Sequence, residues 1–124
     1  MTKRGLFTLT SLLMFFFCEP VRAQDHATLK ITSVGPGQNT GDLVIQGTLV
    51  VDAGWTTFSL TVFYNNAGGG VQKSQTVAIA GNWTTTVPGL ASGGSYDVVA
   101  QVIIKMGQSN TQLILSDPAN GKAK

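Results

Sequence analysis

The residues able to do chemistry in this chain are few. It holds one histidine, His26, and one cysteine, Cys18. A metal site or general base built on His26 would need a second ligand or an orienting partner, and no other histidine, cysteine or glutamate stands near it after residue 23. Asp52, Asp97 and Asp117 could give oxygen ligands to calcium if turns joined them, yet no D-x-D-x-D spacing occurs. A Ser-His-Asp set can be assembled on paper from His26, but no nucleophile-elbow motif supports it. Glu19 is the sole glutamate, and none follows it, which excludes most of the paired-carboxylate glycosidase arrangements. These residues point away from catalysis: no enzyme activity, no cofactor and no metal site is expected.

Binding chemistry is better represented. Trp55, Phe63, Tyr64 and Trp83 are aromatics of the kind that stack on sugar rings or anchor protein contacts. Whether they can do so depends on the elements that carry them.

The first 23 residues differ from the rest. Lys3 and Arg4 precede an apolar run from Gly5 to Phe17, and Val21-Arg22-Ala23 puts small residues where a signal peptidase reads. The run is too short to span a bilayer as a helix. Residues 1–23 are therefore expected to be a signal peptide cut after Ala23, directing a secreted or periplasmic protein with no membrane insertion afterwards. Lipoprotein anchoring at Cys18 is disfavoured because Phe15-Phe16-Phe17 stands where a small residue is wanted. Cleavage after Ala23 also removes the cysteine, so no disulfide framework is expected.

The formal charge of +2 belongs to that segment. Beyond it, Lys30, Lys73, Lys105, Lys122 and Lys124 balance Asp25, Asp42, Asp52, Asp97 and Asp117, and no arginine remains. Nothing there supports binding to nucleic acid.

Period-two alternation recurs through the remainder, bounded by Gly, Asn and Pro turns. It predicts strands over Thr28–Val34, Leu43–Val51, Thr56–Tyr64, Val71–Ile79, Trp83–Val87, Tyr96–Ile104 and Gln112–Leu115. In the third, Phe58, Leu60, Val62 and Tyr64 are expected to share the buried face, leaving Phe63 outward with Ser59 and Thr61. About seven short strands in one unit of this length make an all-β, Greek-key β-sandwich, over residues 24–116. Residues 117–124 lack large apolar side chains and are expected to be a flexible tail.

The stretch "GNWTTTVPGLASGGSYDVVAQV", Gly81 to Val102, resembles the G-x-W-x-x-x-V-x-x-L-x-x-G-x-Y-x-V-x-A pattern of bacterial Ig-like and fibronectin type III-like repeat domains. Gly81, Trp83, Val87, Leu90, Tyr96, Val98 and Ala100 occupy the matching types, with one extra glycine at the Gly93-Gly94 corner. "DLVIQGTLV", Asp42 to Val50, resembles the second strand of such domains. The resemblance implies a tyrosine corner at Tyr96, whose hydroxyl would bond to backbone upstream. It makes Tyr96, Leu90 and Trp83 structural residues.

Trp55 lies at a turn, Phe63 faces outward, and Val99 and Ile103 oppose the Tyr96 face; these four are the candidate contact surface. The expected function is non-catalytic adhesion or assembly through contact with an extracellular or periplasmic protein, or with itself. Two alternatives stand beside it. A polysaccharide-binding module would need Trp55 and Phe63 coplanar and exposed on one face. A small chaperone or inhibitor of sheet-forming proteins would need an unprotected edge strand.

Overall fold

The computed structural model describes residues 24–124; the expected signal peptide, with Cys18, lies outside the described residues. Eight strands are present: β1 (Ala27–Pro36), β2 (Leu43–Val51), β3 (Thr56–Asn66), β4 (Lys73–Thr76), β5 (Asn82–Val87), β6 (Ser95–Met106), β7 (Asn110–Leu115) and β8 (Ala119–Lys122). They form two antiparallel sheets, one ordered β1-β2-β5 and the other β4-β3-β6-β7, with β8 also on β6. The chain changes sheet after β2, after β4 and after β5, which is Greek-key connectivity. The all-β sandwich follows from the alternation of the strands.

Alternation explains the packing. Leu43, Ile45, Leu60, Val62, Val98, Ala100, Val102 and Ile104 are wholly buried between the sheets. Their sequence neighbours point to the two outer faces. Trp83 is buried against the sheet opposite Gly47. A Cβ at Gly47 would sit 2.2 Å from the Trp83 ring and 2.1 Å from the Lys30 carbonyl oxygen. That glycine is thus the space the indole fills, and the Trp83 Nε1–H itself finds no acceptor among the described residues.

The corner after β5 is fixed by Tyr96. Its ring is buried and its hydroxyl accepts a bond from the Ala91 N–H at 3.2 Å. Leu90 packs on the core and donates its N–H to the Gly41 carbonyl at 3.0 Å. These contacts tie the crossover to both sheets.

Three expectations need correction. Phe58 is 61% exposed instead of sharing the face of Leu60. The β3–β6 register jumps between Thr57 and Ser59, and the extra residue of that bulge reverses the side to which Phe58 points. The fourth strand is shorter than Val71–Ile79, with Val71 and Ile79 both exposed at its flanks.

The tail is also not frayed. Residues 119–122 form β8 against Ser95–Val98, Ala123 is buried, and Lys124 exchanges main-chain bonds with Gly41 and Asp42. Large apolar groups are unnecessary there because the backbone pairs directly. Gly121 lies so close to β1 that a Cβ would meet the Val34 carbonyl oxygen at 2.3 Å.

Candidate contact face

The outward face of the five-stranded sheet gathers most of the residues that could bind. β3 turns Leu60, Val62 and Tyr64 into the core and therefore turns Ser59, Thr61 and Phe63 out. β6 buries Val98, Ala100, Val102 and Ile104, so Val99, Gln101, Ile103 and Lys105 face out beside them. β7 buries Ile114 and exposes Leu113 and Leu115, each at 57%.

The pairing register decides which of these meet. Phe63 lies opposite Val99, Ile103 opposite Leu113, and Gln101 opposite both Thr61 and Leu115. Facing side chains in such pairs have Cβ atoms about 5 Å apart. Phe63, Val99, Ile103, Leu113 and Leu115 thus form a diagonal apolar band across three strands. Its polar members, Ser59, Thr61 and Gln101, are uncharged. Phe58 extends the band at one end, where the Lys105 ammonium stands 4.0 Å from its ring centroid. A face of this kind can exclude water against a partner.

The structure brings Phe63, Val99 and Ile103 together and places Trp55 elsewhere. Trp55 precedes β3 and lies eight residues from Phe63, about 26 Å along an extended strand. It packs on the core and stacks with the His26 ring, centroids 4.6 Å apart and planes 14° from parallel. The pair of aromatics needed for a flat sugar platform is not formed. Leu113, Leu115 and Phe58 are exposed apolar residues of the same face that the sequence analysis does not single out. For the two leucines the signal was present, since both oppose Ile114 in parity.

His26 is held by its surroundings. Its Nδ1 lies 3.0 Å from Asp52 Oδ2, its N–H donates to Gln112 Oε1 at 2.9 Å, and its carbonyl accepts from the Asp52 N–H at 2.9 Å. These bonds join the start of β1 to the β2–β3 turn and to β7. The aspartates considered for calcium are dispersed: Asp52 pairs with His26, and Asp97 accepts from Asn120 Nδ2 at 2.9 Å. Among the described residues, no group of three His, Cys, Asp or Glu side chains could hold an ion.

A surface cleft of about 330 Å³ opens under the β3–β4 loop, floored by Tyr64 and Tyr96 and walled by Asn66, Val71, Lys73 and Leu90. Both tyrosine rings are buried in the core there.

The sheet edges complete the geometry. β7 has β6 on one side, and the Ser116 N–H to Ala100 carbonyl bond of 2.9 Å fixes the alternation of its ladder. Gln112 and Ile114 therefore direct their backbone groups to β6, while Thr111, Leu113 and Leu115 direct theirs outward.

Comparison with known proteins adds little to this geometry. No protein-family model and no curated protein matches the chain. Among solved structures it is similar to a segment of a chitinase from Paenibacillus sp. str. FPU-7, a bacterial cell-surface-expressed multi-modular enzyme. The match has 20% identity and a TM-score of 0.47, covers 85% of this chain and spans 9% of that one.

Proposed function

We propose that this chain is a non-catalytic contact module of the bacterial Ig-like or fibronectin type III-like kind, acting outside the cytoplasm in adhesion or assembly. The observation that carries the reading is the apolar band of Phe63, Val99, Ile103, Leu113 and Leu115 on an outward sheet face. An antiparallel sheet that meets only water on one side ordinarily shows polar residues there. Contiguous apolar residues on such a face mark a surface that a partner covers. The signal-like residues 1–23 support a secreted or periplasmic site of action, where partners would be surface proteins.

Combined substitution Phe63→Ser, Val99→Thr and Ile103→Thr tests the reading. The variant is expected to keep its far-UV circular dichroism and lose retention on the surface of the producing cells. Undiminished retention by the folded variant contradicts the proposal.

A second reading is favoured by the open β7 edge: capture of a strand from another sheet-forming protein. It predicts delayed fibre growth at low molar ratio, and unchanged growth at equal ratio removes it. The sugar-platform reading has lost its pair of aromatics.

A further inference from the structure

Each sheet has free edges, and all but one carry a feature that blunts pairing with another chain. β1 contains Lys30, a register shift between Ile31 and Ser33, and a terminal Pro36, and its second half lies against Gly121 of β8. β5 is closed by Gln75, whose Nε2 donates to Thr85 Oγ1 at 2.6 Å and to the Thr86 carbonyl at 2.9 Å. β4 has four residues and begins with Lys73, and β8 has four and ends with Lys122. Charges, prolines, bulges and short length are the usual protections of an edge.

β7 has none of them. Its residues are Asn110, Thr111, Gln112, Leu113, Ile114 and Leu115, without charge, proline or register shift. The nearby start of β1 engages β7 through the side chain of Gln112, which bonds to the Gln24 carbonyl and the His26 N–H. The outward backbone groups of Thr111, Leu113 and Leu115 have no main-chain partner among the described residues.

We propose that β7 pairs antiparallel with β7 of a second copy of this chain, on a two-fold axis through Leu113, extending the sheet across both copies. The proposal goes beyond the contact-module reading: it names a partner for the strand edge and leaves the apolar band open, so the two can fail separately. The register argues for a second copy over a foreign strand. A two-fold contact presents the same strand to itself, and facing residues in an antiparallel pair keep their side chains on one side of the sheet. With Leu113 facing its copy, Thr111 faces the second copy's Leu115. The outward groups then exchange about six backbone hydrogen bonds.

The rows across the joined sheet are compatible. Ile103 and Leu113 meet the second copy's Leu113 and Ile103, giving an unbroken apolar row. Lys105 lies behind Thr111 and meets Leu115 and then Gln101 of the second copy, so no like charges oppose. The apolar bands of both copies become one continuous surface facing the same way.

The test is analytical ultracentrifugation of the full chain, exported from an expressing cell, at concentrations up to about 1 mM, with amide hydrogen exchange at low and high concentration. A dimer is expected, with Leu113 and Leu115 amides gaining protection as it forms. Leu113→Pro removes one outward donor per copy and spares the β6 ladder. It is expected to weaken association roughly thirtyfold, one net hydrogen bond being lost on each side of the axis. Leu113→Lys, tolerated at so exposed a position, sets two ammonium groups on the axis and decides the matter if the proline variant fails to fold. Phe63→Ser should dimerise as the wild type does. A monomer at every concentration overturns the proposal. So does a dimer undiminished in both Leu113 variants, or one lost with Phe63→Ser alone. Binding of a foreign strand without self-association overturns it too.

Discussion

Phe58 shows how a single residue can mislead a periodic reading. Alternation through Thr56–Tyr64 places it with Leu60, but the bulge at Thr57/Ser59 inserts one residue and flips its side. No glycine or proline marks that bulge in the sequence, so the flip was not legible. Phe58→Ser is accordingly expected to change the stability by less than about 1 kcal/mol, the range of an exposed ring with a cation above it. A denaturant midpoint well below that of the wild type contradicts the assignment. Gly47 lies at the opposite extreme. Gly47→Ala pushes a methyl into the Trp83 ring and the Lys30 carbonyl, and a loss of about 3 kcal/mol is expected from such overpacking, read from the same unfolding curves. Tyr96→Phe removes one acceptor from the Ala91 N–H and should lower stability by about 1 kcal/mol.

At the scale of elements, strong alternation marks the long strands, and sequence and structure part where pairing depends on backbone. The fourth predicted strand shrinks to Lys73–Thr76 because its apolar ends, Val71 and Ile79, have no sheet to face. β8 is hidden from a pattern of large apolar side chains because its order comes from backbone pairing with β6. Its sequence does carry a period-two pattern, with Ala119, Gly121 and Ala123 alternating with Asn120, Lys122 and Lys124. The small residues face where another strand comes close. Truncation after Pro118 is therefore expected to lower the unfolding midpoint. Amide protection should fall in Ser95–Val98, which β8 covers, and persist in Gln101–Met106, which β7 covers. Uniform loss or no loss across β6 contradicts the role assigned to β8.

For the whole molecule, the sandwich separates buried aromatics from the apolar residues of the outward face. Trp83 and Tyr96 are absorbed by the core, and Trp55 by the His26 and Asp52 cluster at one end. The outer face of the five-stranded sheet keeps Phe63, Val99 and Ile103, joined by leucines that parity alone could have revealed. Which strands neighbour one another was not legible in the sequence, because register and sheet order arise from long-range pairing. The apolar band exists only once β3, β6 and β7 are set side by side. We propose this band as the surface a partner covers. The most direct test is site-specific photo-crosslinking in the producing cells, with benzoylphenylalanine placed singly at Phe63, at Val99, or at Thr84 on the exposed side of β5. One discrete adduct is expected from positions 63 and 99 and none from 84; equal labelling from all three positions, or adducts from 84 alone, would overturn the assignment of this face.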